Sequence, residues 1–352
     1  MYNDNVVVDV DAHFLETIEE LATYLDSDDP WRERLEEAPD KLLPSNTPDH
    51  YRYGRIQRDE VGYLDEEMGL DAVPTTMEHV GLDKIILLSH RVISFTEIIA
   101  DDRRATIFAN TFTDFMLDKI VDPDSGIYTM VPAPYNDPDE AVELIDRVAD
   151  EPGIVGVCMI TAGAEPPLGN RRYDPIYDAA ERADLPVVFH AGGSSLDGFH
   201  RKGYSRFIES HSLGFLENNM EQLTSIVIQG VPEKFPDLDI VFQESGTLWP
   251  ASYMYRLDEE YLKRQSEAPL LEKLPSEYIK EFYFGTQPME IPTDTEFLER
   301  SMRTIGVGQF MYASDYPHWD YDPPNIITDL PFLSEQEKKQ ILGETAEEVF
   351  GI

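Results

Sequence analysis

Apolar runs alternate along the chain with segments in which apolar residues recur at helical spacing. This alternation predicts repeated βα units around a parallel sheet. The predicted strands are Val6–Val10, Lys84–Leu88, Ile127–Val131, Val155–Ile160, Pro186–His190, Ile240–Glu244, Phe282–Gly285 and Phe310–Ser314. Eight strands are what a (β/α)8 TIM barrel requires, so we predict an α/β fold with one distorted barrel of this type over residues 1–352.

Helices are predicted between several of these strands, and two connections are too long to be simple loops. The predicted helices are Asp139–Val148, Pro175–Ala183 after an N-cap at Asp174, Asn218–Gln229, Thr295–Thr304 and one that opens with a capping box at Ser334–Glu337. The long connections are 17–80, predicted as a helical insertion after the first strand, and 191–217. Long loops in compact domains are commonly functional, and βα loops build the active-site face of a barrel. Both connections are therefore expected to contribute to a substrate pocket.

The charge of the chain is strongly acidic, with 69 acidic and 28 basic residues and a formal net charge of -41. A disordered acidic tail is one interpretation, but the acidic residues are spread along the whole chain. Binding of cations or of a basic partner is another, but no repeated calcium-loop pattern is present. We favour adaptation to multimolar salt, where screening removes most of the repulsion. The same charge argues against nucleic-acid binding, which needs a basic surface.

The sequence also bears on the cellular compartment. The N-terminal segment has no basic region followed by a long apolar run, so no signal peptide is predicted. No segment approaches the roughly 18 apolar residues of a membrane helix. The single cysteine, Cys158, cannot form an internal disulfide. We therefore expect a cytoplasmic protein without a membrane partner.

Three predicted strands carry metal-binding residue types at or near their carboxyl ends. Asp11 and His13 are two residues apart, so on a strand their side chains point the same way. Taken alone, the pair is equally consistent with a metal site and with a structural role, in which Asp11 caps the following helix and His13 lies in a polar loop. His190 and Asp315 each have a structural interpretation too, as a strand-end histidine and an N-cap aspartate. Catalytic groups of barrels gather at this face, so the three strand ends together favour a site with two imidazoles and two carboxylates.

The pattern as a whole resembles the amidohydrolase-related branch of the amidohydrolase superfamily, which includes aminocarboxymuconate semialdehyde decarboxylase. The resemblance extends from Val6 to Phe350. It rests on the Asp-x-His start, the strand that ends at His190, the segment Phe235–Phe242 and the sequence Ser-Asp-Tyr-Pro-His at Ser314–His318. It implies a small-molecule substrate, a homodimer and one divalent metal ion held by Asp11, His13, His190 and Asp315.

The identity of the metal and the number of ions follow from the same resemblance. We expect zinc, because two imidazole ligands favour this ion. The two carboxylate ligands leave manganese and iron as alternatives. Two-metal members of the superfamily have a bridging lysine at the end of the fourth strand. The corresponding segment here, Cys158–Thr161, has no lysine, so the resemblance implies a mononuclear site.

The chain departs from the decarboxylase pattern at the end of the sixth strand, where Glu244 replaces a histidine. Glu244 is a candidate acid or base, a further ligand or a supporting residue. Asp315 is the candidate proton shuttle, and His318 is expected to orient it. Candidates for binding the substrate are His90, Arg91, Trp249 and Arg256, although Trp249 also fits the core and Arg256 a surface ion pair with Asp258 or Glu259.

These observations predict a metal-dependent enzyme that decarboxylates a small organic carboxylate without oxidation, a carbon–carbon lyase. Hydrolysis of an amide, ester or lactone by the same site is the alternative. The alternative from a different functional class is a barrel that binds a metal but has no catalytic activity. All four implied ligand positions hold suitable residues, and this favours an enzyme.

Overall fold

A computed structural model describes residues 5–14, 16, 18–32, 72–90, 92, 102–192, 207–318 and 320–352. The strands are β1 (Val8–Phe14), β2 (Lys84–Ser89), β3 (Ile127–Pro132), β4 (Ile154–Ile160), β5 (Val187–His190), β6 (Ile240–Gln243), β7 (Tyr283–Gly285) and β8 (Phe310–Met311). They form one sheet in the order β1 to β8, and each strand is parallel to the next. With helices between them, the strands form the (β/α)8 barrel that the sequence predicts.

The helices follow the strands along the chain and cover the sheet. They are α1 (Ile18–Ala22), α2 (Ala72–Val80), α3 (Asp102–Lys119), α4 (Pro138–Val148), α5 (Asp174–Arg182), α6 (Phe207–Ile228), α7 (Val231–Lys234), α8 (Trp249–Arg264), α9 (Pro275–Ile279), α10 (Thr295–Ile305), α11 (Asn325–Thr328), α12 (Glu335–Lys339) and α13 (Thr345–Phe350). No described helix has the length and apolar character needed to cross a membrane.

Most predicted elements agree with the structure to within a few residues. The capping box at the start of α12 is present, with Ser334 Oγ accepting from Glu337 N and Glu337 Oε2 accepting from Ser334 N at 2.8 Å. Asp174 is not the predicted N-cap, because it is already the first helical residue of α5 and Tyr173 occupies the cap. The predicted insertion 17–80 is described only at its ends, in α1, 23–32 and α2. Arg91 and residues 33–71 lie outside the described residues.

The first strand is longer than predicted and carries the Asp-x-His motif within it. Every residue of β1 is buried, including Asp11 and His13. Its register against β2 shifts between Asp9 and Ala12. Irregularities of this kind re-aim side chains near active sites. The motif therefore belongs to the strand itself and not to the loop that follows it.

The two ends of the sheet meet, so the barrel is nearly closed. Backbone hydrogen bonds run from Val10 N to Tyr312 O at 3.2 Å, from Asp315 N to Asp11 O at 2.7 Å and from His13 N to Tyr316 O at 2.7 Å. β8 is short, and the segment after Met311 continues along β1 through these bonds. We call this contact between β1 and residues 312–316 the β1–β8 seam. It places Asp11 and Asp315 beside each other.

Four phenylalanines in register form a ladder across β5 to β8. Phe189 pairs with Phe242, Phe242 with Phe284, and Phe284 with Phe310. Their ring centroids are 5.2, 6.1 and 6.0 Å apart, and all four side chains are buried. Tyr177 of α5 packs against the first ring, so the ladder faces the helices. Because strand side chains alternate, the next residue, His190, faces the barrel interior.

Phe242→Ala is expected to destabilise the fold by about 3–5 kcal/mol, because it removes a fully buried ring and leaves a cavity in the ladder. The free energy of unfolding is measured by urea denaturation. Phe297→Ala on α10 is the matched control, since that ring is 51% exposed and its loss is expected to cost about 0.5 kcal/mol or less. Equal losses for the two variants would contradict this account of the ladder.

Candidate metal centre and substrate cavity

The structure brings three of the four implied metal ligands together at the carboxyl ends of the strands and places the fourth beside them. Ligand atoms of Asp11, His13 and His190 lie within 4.8 Å of one another. Asp11 Oδ1 lies 3.1 Å from His190 Nε2 and 3.6 Å from His13 Nε2. Asp315 is joined to this group through His13, whose Nε2 lies 3.1 Å from Asp315 Oδ1. None of the four residues is more than 3% exposed.

The donor set of this cluster fits a divalent cation. Asp11 Oδ2 is buried and has no hydrogen-bond partner among the described residues. Buried polar atoms are almost always hydrogen-bonded, so this oxygen indicates a missing partner. Metal–ligand bonds of about 2.1 Å in a tetrahedral arrangement would separate neighbouring ligand atoms by about 3.4 Å. The observed separations lie close to that spacing.

The orientation of His190 supports the same interpretation. Its Nδ1 donates to Ala191 O at 2.5 Å and lies 3.3 Å from Glu244 Oε2. Metal-binding histidines commonly donate their other ring N–H to a carbonyl or carboxylate, which fixes the ring and its tautomer. The other ring nitrogen, His190 Nε2, faces Asp11 Oδ1 at 3.1 Å, in the direction expected of a ligand nitrogen.

Glu244, His318 and His90 extend the cluster beyond the four implied ligands. His318 Nδ1 contacts Asp315 Oδ1 at 2.5 Å, and His318 Nε2 lies 3.1 Å from His90 Nδ1. Ligand atoms of His13, His90 and His318 lie within 4.8 Å of one another, as do those of His13, Glu244, Asp315 and His318. His90, predicted to bind substrate, is thus connected to Asp315 through His318.

The two acidic groups nearest the cavity differ in their tendency to ionise. Burial favours protonation of Asp315, but His318 and His13 outweigh it and hold the pKa of Asp315 below its usual value. Burial and the charges of Asp315 and Asp11 raise the pKa of Glu244 well above its usual value. The pKa values of the two groups are therefore shifted in opposite directions, and Glu244 holds a proton more strongly than Asp315 does.

Both acidic residues also have unusual backbone conformations. Glu244 has a φ of 59° and Asp315 a φ of 62°, in the left-handed region that few non-glycine residues occupy. Such strain collects at functional sites, where the surrounding structure holds it in place. For Asp315 the hydrogen bond from its backbone N–H to Asp11 O provides part of that support.

Two further buried carboxylates, Asp9 and Glu16, have supporting roles next to the cluster. Asp9 accepts from Ser314 N at 2.9 Å and from Ser314 Oγ at 2.5 Å, and it ties the β1–β8 seam together. Burial raises the pKa of Asp9 to about 7, against the lowering effect of these bonds. Glu16 accepts from Ser89 Oγ at 2.8 Å and from Val92 N at 2.7 Å, and so fixes the end of β2. Neither role can be inferred from the sequence alone, because each depends on contacts between residues that are far apart in the chain.

A cavity of about 180 Å³ adjoins the cluster, and Glu244 and Asp315 form part of its wall. Helix α6 contributes a ring pair, His211 and Phe215, whose centroids are 4.9 Å apart. Burial lowers the pKa of His211 to about 4, so this ring is neutral near pH 7. The remaining lining residues are Ser212, Leu216, Ser245, Gln287, Pro288, Glu290 and Asp320. The sequence does not identify His211 as a wall residue, because the predicted helix begins at Asn218 and His211 lies in the long connection 191–217 before it.

Trp249 and Arg256, two predicted substrate-binding residues, are not brought to this cavity. Trp249 is buried in the core, with its Nε1 donating to Ser245 Oγ at 3.2 Å and its ring 6.2 Å from that of Phe284. The side chain of Arg256 is 71% exposed on α8 and lies 3.2 Å from Glu260. A surface ion pair was the alternative for Arg256, although the partner is one helical turn away and not Asp258 or Glu259.

Comparisons with known proteins agree with the fold. The gamma-resorcylate decarboxylase of Polaromonas sp. strain JS666 is 21% identical over 286 residues, covering 78% of this chain and 85% of that protein. Among solved structures, 5-carboxyvanillate decarboxylase from Novosphingobium aromaticivorans, with manganese and 4-hydroxy-3-methoxy-5-nitrobenzoic acid, has a TM-score of 0.74 at 21% identity, covering 99% of this chain and 97% of that one.

A second solved structure has the same fold. Dihydroxybenzoic acid decarboxylase from Polaromonas sp. strain JS666, with manganese and the inhibitor 2-nitroresorcinol, has a TM-score of 0.71 at 18% identity, again covering 99% of this chain and 97% of that one. The model of the amidohydrolase family matches residues 8–352. Because this match covers nearly the whole length, the chain belongs to the amidohydrolase family.

Proposed function

We propose that this protein is a metal-dependent decarboxylase that removes carbon dioxide from a small aromatic carboxylate without oxidation. The observation that carries the proposal is that the cavity and the cluster of potential metal ligands have two residues in common. Asp315 and Glu244 belong to the cluster and also line the adjoining cavity. A ligand in that cavity therefore meets the cluster directly. The decarboxylases to which the chain is similar act on aromatic carboxylates, by their names, and support this choice.

Asp11, His13, His190 and Asp315 are the residues that would hold the divalent ion. When bound, the ion would act as a Lewis acid toward substrate oxygens and balance their negative charge. Zinc is the ion that the sequence favoured, with manganese and iron as alternatives. The manganese in the solved relatives supports the manganese alternative.

The size of the cavity favours a substrate with one aromatic ring. A cavity of about 150 Å³ is large enough to bind benzene, and this one measures about 180 Å³. His211, Phe215 and Leu216 offer an apolar and aromatic wall, which suits a flat ring. Among the described lining residues none is a lysine or arginine.

The chemical step requires one proton at the ring carbon that carries the carboxylate. We propose that Asp315 passes this proton from His318 Nδ1, which it contacts through Oδ1, and that His90 restores it through His318 Nε2. The carbon–hydrogen bond forms, the bond to the carboxylate breaks, and its electron pair returns to the ring as carbon dioxide leaves. Glu244, on the same wall, is the alternative donor.

Three further predictions from the sequence accompany this proposal. The net charge of -41 supports adaptation to high salt, so assays belong in multimolar potassium chloride. The family resemblance supports a homodimer, which light scattering measures. A cytoplasmic location follows from the sequence alone and stays a prediction.

The metal content of the protein tests the ligand set. Elemental analysis after reconstitution is expected to find about one divalent ion per chain in the wild type and much less in His190→Ala, because that variant removes a ligand. His79→Ala is the matched control, since His79 lies on the exposed face of α2 and its loss is expected to leave the metal content unchanged. Absence of bound metal from the wild type, or equal retention in all three proteins, would contradict the ligand set.

Turnover tests the reaction. The metal-loaded wild type is expected to release carbon dioxide from 2,6-dihydroxybenzoate or a related hydroxybenzoate, followed by chromatography of substrate and product. Asp315→Asn is expected to lower kcat by about 100-fold or more, the usual contribution of a proton-transferring group. Asp124→Asn, in an exposed turn, is the matched control and is expected to be fully active.

Turnover of amides, esters or lactones by the wild type that leaves every aromatic carboxylate intact would contradict the decarboxylase proposal. Full decarboxylation by Asp315→Asn would contradict the proposed role of Asp315 in proton transfer and leave the decarboxylase proposal standing. Glu244→Gln, measured in parallel, shows whether Glu244 is the donor. Metal analysis of each variant separates a lost ion from a lost proton donor.

A further inference from the structure

One buried amide, Asn219 on α6, forms hydrogen bonds to the carboxyl ends of two strands of the barrel. Its Nδ2 donates to Gln243 O at 2.7 Å and to Ser245 Oγ at 2.8 Å, and its Oδ1 accepts from Thr161 Oγ1 at 2.9 Å. Gln243 is the last residue of β6, and Thr161 follows the last residue of β4. The side chain is fully buried, so its nitrogen and its oxygen both find their partners inside the protein.

The two acceptors of Asn219 Nδ2 lie immediately before and after Glu244. Glu244 has a φ of 59°, in the left-handed region, and strained conformations of this kind persist only where the surrounding structure holds them. Glu244 lines the cavity, and its Oε2 lies 3.3 Å from His190 Nδ1. A hydrogen bond on each side of a strained residue restricts the backbone rotations that would relieve the strain.

A second side chain holds the far end of the same turn, but it does so near the surface. Glu290 Oε2 accepts from Thr247 N at 2.8 Å and from Thr247 Oγ1 at 3.0 Å. Glu290 is exposed, whereas Asn219 is fully buried. Hydrogen bonds in the interior are stronger, because the local dielectric constant is low. Asn219 is therefore the internal anchor of the turn.

Asn219 also connects the turn to the helix that forms another part of the cavity wall. Phe215, which lines the cavity, precedes Asn219 by four residues on α6. Residues four apart in a helix lie on the same side of it. The bonds of Asn219 therefore fix the position of α6 relative to β6, and with it the space between Phe215 and Glu244.

We infer that Asn219 is a positioning residue that holds Glu244 in its left-handed backbone conformation and keeps its side chain on the wall of the cavity, beside His190. The consequence for turnover rests on the proposed function, whereas the position of Glu244 can be tested without it. An amide with a purely structural role would stabilise the fold, but its replacement would leave the conformation of Glu244 unchanged.

Crystal structures of the manganese-loaded wild type and of Asn219→Leu test the position of Glu244 directly. Leucine has nearly the same branched shape as asparagine but makes no hydrogen bond, so the turn loses its internal anchor. The φ of Glu244 is expected to become negative, and its carboxyl is expected to lose the contact with His190 Nδ1. Asn219→Ser, whose side chain is too short to reach Gln243 O, is the second variant and has the same expected result.

Gln222→Leu is the matched control, because Gln222 is only 1% exposed and lies one turn further along α6. Its Nε2 donates to Thr161 O at 3.3 Å, and its Oε1 accepts from Leu168 N at 2.7 Å. Neither of these bonds reaches residues 243–247. The variant is therefore expected to lose stability to a similar degree, measured by urea denaturation, and to keep the conformation of Glu244.

Turnover of the aromatic carboxylate that the wild type decarboxylates gives the functional readout. Asn219→Leu is expected to keep the metal content of the wild type and to lower kcat by about tenfold or more, because a displaced group of the site slows the chemical step. Gln222→Leu is expected to keep kcat. In the Glu244→Gln background, Asn219→Leu is expected to have little further effect, since substitutions that act through one group are not additive.

The inference is overturned if Glu244 keeps its φ and its contact with His190 in the Asn219 variants, whatever their activity. It is also overturned if Asn219→Leu lowers kcat by the same factor with and without the Glu244 carboxyl, because the effect then passes through another group. An unchanged kcat in a variant whose Glu244 has moved would contradict the consequence for turnover. If the wild type decarboxylates no aromatic carboxylate, the proposed function fails, and the crystal structures still decide the role of Asn219.

Discussion

The β1–β8 seam is the contact on which the rest of the site depends. Asp9 and Ser314 are 305 positions apart in sequence, yet two hydrogen bonds join them in the barrel interior. The seam also pairs Asp315 N with Asp11 O, and this places the two aspartates at neighbouring positions of the first and last strands. Without this closure the strand ends would still carry metal-binding residues, but those residues would not share one centre.

Several carboxylates buried near one another inside a barrel create an electrostatic problem that shapes the chemistry of the site. Buried charges are stable only when they are paired or bound to a metal. The imidazoles of His318 and His13 lower the pKa of Asp315, whereas burial and the neighbouring aspartates raise the pKa of Glu244. Among the described residues, one oxygen of Asp11 still has no hydrogen-bond partner. A divalent cation would provide a partner for that atom.

The sequence predicted the parts of this arrangement that depend on local pattern. The strands and five of the helices follow from the period of apolar residues, and His190 and Asp315 were identified because they lie at the ends of apolar runs. The roles of Asp9 and Glu16 depend on contacts between distant segments, which no local pattern shows. Arg256 shows the reverse error, a local pattern that suggested a role in substrate binding which the structure does not support. The sequence does not show that its side chain is exposed and paired with Glu260.

The central claim is that Asp11, His13, His190 and Asp315 share one divalent ion. Crystals of the manganese-loaded protein, measured at the manganese absorption edge, test it most directly. The account predicts one anomalous peak that is bonded to oxygen atoms of both aspartates and to a ring nitrogen of each histidine. A peak held instead by His13, His90 and His318, the other histidine group of the cluster, would contradict it, as would a cluster without any peak.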